Sequence, residues 1–350
     1  MDSQENDAIK QGNLLRDKED FNGAIAAYTE AISLDSQSVE AYCGRAYSYG
    51  RKGKFDKAIT DSTEAIRLNP EYVDAYTVRA LSYGEKREFD RAFADYTEAI
   101  RLDPEDAEAY YSRAGAYSDK GDHDKAIADI TEAMRLKPEW YLAFNARAYV
   151  YANKGEFDKA IIDFTEAIRL NPEHANSYDG RGWSYSEKGE FDKAIADYTE
   201  AIHLDPKRVG AYYNRGNSYS EKGEFDKAIT DYTEAIHLNP KDVEAYYGRG
   251  RAYSKKGDHD KAIADYTEAI QLDPQNGRAF YVRGYSYSQK ADKAKAKADF
   301  AQARKLGFKA KPDRNASLVI IVVTSITIYC CLYHWKTVAT IWQKFIATYF

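Results

Sequence analysis

The stretch VGAYYNRGNSYSEKGEFDKAITDYTEAIHLNPKD, residues 209–242, decides the fold, because similar stretches follow one another along most of the chain. Prolines mark a period of 34 residues without insertions: Pro70, Pro104, Pro138, Pro172, Pro206, Pro240 and Pro274. With proline at position 32 of each unit, nine units follow: 5–38, 39–72, 73–106, 107–140, 141–174, 175–208, 209–242, 243–276 and 277–310. A fixed period of this length is typical of stacked repeats rather than of one closed core.

Each unit predicts two amphipathic helices, A and B. Apolar or small residues follow helical spacing at positions 3, 4, 8 and 11, and again at positions 20, 21, 24, 27 and 28. Glycine at position 15, such as Gly53, suits a left-handed residue after helix A, and aspartate at position 18, such as Asp56, is expected to cap helix B. Because one helix pair cannot bury its apolar face alone, neighbouring pairs must stack into a solenoid.

These positions resemble the pattern of the tetratricopeptide repeat family. That pattern favours a large residue at position 4, small residues at 8, 20 and 27, aromatic residues at 11, 17 and 24, and proline at 32, and the resemblance covers residues 5–310. It implies an all-α fold, a right-handed superhelical solenoid of nine helix hairpins. It also implies a concave face, lined mainly by helix A, that binds extended peptides or helices of partner proteins.

Position 7 departs from the family pattern, which often has leucine there. Eight units carry arginine at position 7 and aspartate at position 23, whereas the first unit has Gln11 and Ala27 and lacks both. Because the two changes occur together, we predict a structural ladder of bidentate pairs between helices A and B. The predicted pairs are Arg45 with Asp61, Arg79 with Asp95, Arg113 with Asp129, Arg147 with Asp163, Arg181 with Asp197, Arg215 with Asp231, Arg249 with Asp265, and Arg283 with Asp299.

Positions 2, 5, 9 and 12 vary most between units, and in the family they face the groove. Aromatic residues with isolated polar groups dominate positions 5 and 9, and tyrosine and tryptophan are common in protein-recognition surfaces. The alternative is that these aromatic side chains only pack between neighbouring repeats. The predicted partner-binding residues are Tyr47, Tyr111, Asn145, Tyr149, Asp179, Trp183, Tyr213, Asn217, Tyr247, Arg251, Tyr281 and Tyr285.

The carboxylate clamp, with which some members of this family bind chaperone C-termini, is incomplete. Asn13 matches it, but Ile9, Gly44, Asp74 and Val78 occupy its other positions, so a co-chaperone function is not expected. The six histidines and three cysteines have no metal-ligand spacing, and no catalytic motif is visible. We therefore expect no enzyme, no metal, no cofactor and no small-molecule substrate.

The charge balance argues against nucleic acid as a partner. Residues 1–310 carry 46 basic and 55 acidic side chains, a net charge of −9, whereas binding to phosphates needs a basic surface.

The C-terminal segment ASLVIIVVTSITIYCCLYHW, residues 316–335, carries no formal charge. As a helix it would be about 30 Å long, enough to cross a bilayer core, so the sequence predicts a transmembrane helix between a basic linker at 311–315 and an interfacial tail at 336–350. The excess of basic residues before the segment places the repeats in the cytosol, as in a tail-anchored, single-pass protein. The alternative is a hydrophobic helix that caps the last repeat.

The sequence thus predicts a membrane-anchored scaffold or adaptor for protein–protein interaction. The alternative is a structural subunit that self-associates or assembles within a membrane complex.

Overall fold

The computed structural model of the chain describes residues 3–309, which form α-helices joined by short turns. They fall into two compact units, divided between Asn239 and Pro240. In the first unit the described residues form fourteen helices: α1 Ser3–Asp17, α2 Phe21–Leu34, α3 Val39–Arg51, α4 Phe55–Leu68, α5 Val73–Glu85, α6 Phe89–Leu102, α7 Ala107–Lys120, α8 His123–Leu136, α9 Tyr141–Asn153, α10 Phe157–Leu170, α11 Ala175–Glu187, α12 Phe191–Leu204, α13 Val209–Glu221 and α14 Phe225–Leu238. In the second unit they form four: α15 Val243–Lys255, α16 His259–Leu272, α17 Gly277–Gln289 and α18 Lys293–Lys305.

Within each unit the helices pack in the order of the chain. Odd-numbered helices are the A helices and even-numbered helices the B helices of the predicted repeats. In the first unit α1 packs on α2, α2 on α3 and so on to α14, and A helices such as α3 and α5 also contact each other. In the second unit the same holds from α15 to α18. The solenoid of helix hairpins is therefore present in both units.

Small side chains allow the helices of a repeat to approach closely. In the second repeat Ala46, Ala58 and Ala65 have no exposed surface. The aromatic ring at position 24 fills the space toward the next repeat, and a Cβ added at Gly44 would lie 2.5 Å from Cζ of Tyr28. Glycine is needed there because any side chain would collide with the ring.

Helix A ends at a left-handed residue at position 15. Six repeats have glycine there, with φ between 69° and 87°: Gly53, Gly121, Gly155, Gly189, Gly223 and Gly257. Where the residue is not glycine the conformation is the same, since Glu19, Arg87 and Ala291 have φ of 60° or 61°. The predicted role of the glycine is confirmed, and the turn forms even at residues for which it is strained.

The predicted cap of helix B is wrong. Helix B begins at position 17, so its capping residue is at position 16. In the first repeat this residue is Asp20, which accepts a hydrogen bond from the Gly23 amide at 3.0 Å. At α4 that residue is Lys54, which makes no side-chain cap. Asp56, at position 18, lies within the first turn of the helix, where a carboxylate still interacts favourably with the helix dipole.

The predicted fold class needs a correction at its C-terminal end. The helices of residues 3–309 are 13 to 15 residues long, about 20 Å, and none of them is both long and apolar enough to cross a membrane. Over residues 3–309 the structure therefore supports an all-helical repeat array, and the transmembrane helix of the predicted fold class is not found among them. The segments predicted at 311–315, 316–335 and 336–350 lie outside the described residues.

Candidate functional site

The eight predicted arginine and aspartate pairs meet between helices A and B. In the fifth repeat, Nε of Arg147 donates to Oδ2 of Asp163 at 2.7 Å and Nη2 donates to Oδ1 at 2.9 Å. In every pair the closest nitrogen and oxygen atoms are 2.7 or 2.8 Å apart, and the aspartate is buried. These pairs form the predicted ladder, and we use that name for them below.

Ladder arginines also join their repeat to the preceding one. Nη1 of Arg147 donates to Oγ1 of Thr131 at 3.0 Å, and equivalent contacts link Arg45 to Thr29, Arg79 to Thr63, Arg113 to Thr97, Arg181 to Thr165, Arg215 to Thr199 and Arg283 to Thr267. The hydrogen bonds to Asp163 raise the pKa of Arg147, so the guanidinium group stays charged. The ladder therefore positions both the two helices of a repeat and the repeat against its neighbour.

A second series of ion pairs lies on the surface and was missed by the sequence analysis. Lysine at position 14 contacts the aspartate at position 18 of the preceding repeat, as between Lys154 and Asp124 at 2.6 Å. The same contact joins Lys86 to Asp56, Lys120 to Asp90, Lys188 to Asp158, Lys222 to Asp192 and Lys290 to Asp260. The signal was present in the sequence as two positions occupied by opposite charges in successive repeats.

Two adjoining cavities open in repeats 1 to 4 on the helix-A face, by which we mean the surface formed by positions 2, 5, 9 and 12. The first, about 370 Å³, is lined by residues of α1, α3, α5 and α7, and the second, about 410 Å³, lies along the later turns of α3 and α5. Tyr47, Val78 and Leu81 line both cavities. Leu81 is 43% exposed, and it lines both cavities, whereas Leu14 and Leu34, which are at least as exposed, line neither.

Small residues keep this part of the face open. Gly84 and Gly115 stand where other repeats have side chains, and a Cβ added at either would meet no atom within 4 Å. Beside Gly115, Tyr111 packs on Trp140 with ring centroids 4.7 Å apart and lines a third cavity of about 240 Å³. Tyr47 and Tyr111 are thus the predicted residues that the structure places at cavities in repeats 2 to 4.

In repeats 5 and 6 the predicted aromatic residues pack on the rings of α10, and Tyr149 also lines the third cavity. Tyr149 lies edge-on to Phe164, with centroids 5.0 Å apart, and its hydroxyl donates to the Asn176 carbonyl at 3.0 Å. Burial raises the pKa of Tyr149 to about 12. Trp183 packs edge-on against Phe157 at 6.0 Å.

Polar members of the predicted set also have internal partners, either in the next repeat or in their own. Asn145 is buried and accepts a hydrogen bond from Ser177 at 3.0 Å. Asp179 accepts one from Nε of Arg208 at 2.9 Å. Here the interpretation of these residues as packing residues fits the contacts better than an open groove does.

The seventh repeat and the second unit show the same preference for internal packing. Tyr213 packs on Tyr232, with centroids 5.9 Å apart, and Tyr232 donates to Asn217 at 2.7 Å. The second unit holds four more predicted residues. Tyr247 is 6% exposed and lies under the Arg278 guanidinium, and Tyr281 packs on Phe300. Arg251 is partly buried, whereas Tyr285 is 50% exposed.

The first cavity carries an excess of carboxylates. Glu40, Asp74 and Glu108, at position 2 of three successive repeats, line it together with Arg16. Partial burial, assisted by the neighbouring carboxylates of Asp106 and Glu108, raises the pKa of Asp74. Its carboxylate accepts no hydrogen bond and forms no ion pair within residues 3–309, whereas Lys137 pairs with Glu108 at 3.0 Å. The acidic residues at position 2 were the sequence signal for this site.

Nothing in the described part of the chain resembles a metal site, because no three His, Cys, Asp or Glu side chains are grouped to hold an ion. Burial raises the pKa of the Cys43 thiol to about 12, so this cysteine is a buried packing residue rather than a nucleophile.

Four family models match, and all of them describe tetratricopeptide repeats. One matches residues 77–140 and 213–277, a second 12–53 and 182–223, a third 141–174, and a fourth 39–72 and 277–306. Together they cover well over half of the chain. A search of the curated proteins finds no match.

Solved structures of similar fold include the APC/C hetero-tetramer Cut9–Hcn1, with a TM-score of 0.56 and 18% identity over 80% of this chain and 55% of that chain. A tetratricopeptide repeat protein from Parabacteroides merdae has a TM-score of 0.54 and 19% identity, over 71% of this chain and 99% of that one. YrrB, described as a TPR protein with an unusual peptide-binding site, has a TM-score of 0.47 and 23% identity over 54% of this chain and 97% of its own. This chain thus spans about half of the Cut9–Hcn1 chain, and at these identities the likeness concerns the fold alone.

Proposed function

We propose that this chain, which belongs to the tetratricopeptide repeat family, is a protein-interaction scaffold that binds a segment of a partner protein on the helix-A face of repeats 1 to 4. The observation that carries the proposal is the pair of adjoining cavities around Leu81. The chain gains free energy when a partner covers the exposed leucine side chain between the cavities. The same face in repeats 5 and 6 offers less to a partner, because Tyr149 and Trp183 already pack on the rings of α10.

A chaperone C-terminus is a poor fit for this face. Asp74 takes a place that the carboxylate clamp gives to lysine, and its carboxylate would repel a terminal carboxylate.

The proposal is tested by selecting displayed random decapeptides that bind the full chain. Selected peptides should lose about tenfold or more in affinity for Leu81→Ala, because truncation removes an apolar contact of roughly 1.5–3 kcal/mol at the centre of the site. The matched control is Ile162→Ala, which truncates an aliphatic side chain that is 67% exposed on helix B.

Affinity that falls equally for both variants, or a selection that yields no binder sensitive to Leu81→Ala, would contradict the proposed function. Circular dichroism of both variants confirms that neither loss comes from unfolding.

A further inference from the structure

The two cavities follow α5, with α3 beside it along both. The first includes side chains from the first turns of α3 and α5, among them Glu40 and Asp74, and the second includes side chains from the last turns, among them Arg51 and Glu85. An occupant that fills both cavities must therefore run along α5. Residues 74, 81 and 85 lie on this helix in that order, with the exposed leucine between two acids.

The acids at the two ends of α5 are available to a ligand. Neither Asp74 nor Glu85 accepts a hydrogen bond or forms an ion pair within residues 3–309. Around both cavities the charged side chains are four carboxylates, Glu40, Asp74, Glu85 and Glu108, and two guanidinium groups, those of Arg16 and Arg51.

The two guanidinium groups are already engaged. Arg16 contacts Asp17 at 3.3 Å, and Arg51 donates to the Tyr47 hydroxyl at 3.1 Å and lies over the ring of Phe21. Asp74 also has a raised pKa between like charges, so a cationic group beside it would relieve the repulsion. The charge offered to a ligand is negative.

We propose that the segment bound along α5 is an extended peptide with a large apolar side chain flanked by lysine or arginine residues; this inference rests on the proposed function. The apolar side chain sits on Leu81 between the cavities, and the basic side chains reach Asp74 and Glu85. From residue 74 to residue 81 the helix rises about 10 Å, and from 81 to 85 about 6 Å. An extended chain advances about 3.3 Å per residue, so the basic residues lie roughly three positions to one side of the apolar residue and two to the other.

The test compares decapeptides selected from the displayed library on the full chain. Peptides selected on the unaltered chain should be enriched in lysine and arginine at about those spacings from a large apolar residue. Their affinity for the double variant Asp74→Asn with Glu85→Gln should be about tenfold lower than for the unaltered chain. Added salt should reduce this difference between the unaltered chain and the variant. The matched control is Glu244→Gln, which removes a carboxylate at position 2 of the eighth repeat, outside both cavities.

The charge reversal Asp74→Lys with Glu85→Lys should instead select peptides enriched in acidic residues. Selected peptides that depend on Leu81 but carry no excess of basic residues, or that bind the Asn and Gln variant unchanged, would overturn the inference and leave the proposed function standing. Peptides that do not depend on Leu81 at all would overturn the proposed function, and the inference with it.

Discussion

The ladder and the open helix-A face of repeats 1 to 4 are built on the same A helices, but their residues repeat differently along the chain. Ladder positions hold the same two residue types in eight repeats, and each pair makes nearly the same contacts. Positions 5 and 9 vary along the chain, and in repeats 2 to 4 they change from Cys43 and Tyr47 to Thr77 and Leu81 and then to Tyr111 and Gly115. Constancy therefore marks what the stack requires, and variation marks where a surface is free to take another role.

The two regions should also respond differently to substitution. A ladder residue contributes to stability and touches no ligand, whereas Leu81 contributes to binding and little to stability. Each prediction below tests whether this separation holds.

The largest effect is expected where the ladder is broken. Asp163→Ala leaves the Arg147 guanidinium, which is 18% exposed, with Thr131 as its remaining hydrogen-bond partner from the ladder. Removing one partner of a buried pair destabilises by roughly 3 kcal/mol, because the other charge stays in a poorly solvated place. The free energy of unfolding of the full chain in urea, followed by circular dichroism, measures the loss.

The control breaks an exposed ion pair that joins the fifth repeat to the fourth. Asp124→Ala removes a carboxylate that is 85% exposed, while Lys154 keeps its ion pair with Glu156, so the change should cost less than about 1 kcal/mol. The combined change Arg147→Met with Asp163→Leu should restore much of the stability, because no unpaired charge then remains. Equal losses for Asp163→Ala and Asp124→Ala would show that burial does not distinguish the two series.

The next effect distinguishes the filled part of the helix-A face from the open part. Tyr149→Ala removes the ring that packs on Phe164 and the hydrogen bond to Asn176, and should lower stability by about 2–3 kcal/mol. Leu81→Ala, at a side chain that is 43% exposed, should cost less than about 1 kcal/mol. Urea unfolding of the two variants gives the comparison directly.

The binding measurements complete this test. Leu81→Ala should weaken the selected peptides, and Tyr149→Ala should leave their affinity nearly unchanged. If Leu81→Ala destabilises the chain as much as Tyr149→Ala does, Leu81 is a packing residue. The main observation in favour of partner binding on this face would then be gone.

The repeats and the ladder were predictable because their information is local and recurs. Period, glycine turns and paired arginine and aspartate are each visible within one 34-residue stretch and are repeated in the next. The helix caps were misplaced by two residues, because Asp56 lies within the first turn of a helix that begins at Phe55, a boundary that the sequence pattern leaves uncertain.

The state of the helix-A face was less predictable, because it depends on pairs of side chains in different repeats. A tyrosine at position 5 looks the same in the sequence whether it faces solvent or, like Tyr213, lies on the ring at position 24. The third cavity is lined by Gly115, where a Cβ would meet no atom within 4 Å, and a search for aromatic residues passes over such a position. The three successive acids at position 2 were visible, but only the structure places them in one cavity.

The smallest effect concerns the turn that follows α5. Arg87 adopts φ of 61°, a left-handed conformation that costs a non-glycine residue roughly 1–2 kcal/mol, while glycine would lose more entropy on folding. Arg87→Gly should therefore raise stability by only about 0.5 kcal/mol, seen as a higher urea midpoint with an unchanged slope. The matched control, Gly155→Ala, imposes the same strain at φ of 77° and should lower stability by about 1 kcal/mol.

Because residue 87 lies outside the cavity linings, the affinity of selected peptides for Arg87→Gly should not change. Arg87→Gly leaves Leu81, Asp74 and Glu85 in place. If it nevertheless changes the affinity, binding depends on the stability of α5 as well as on its exposed side chains. Residues that stabilise the stack and residues that bind a partner would then not be separate.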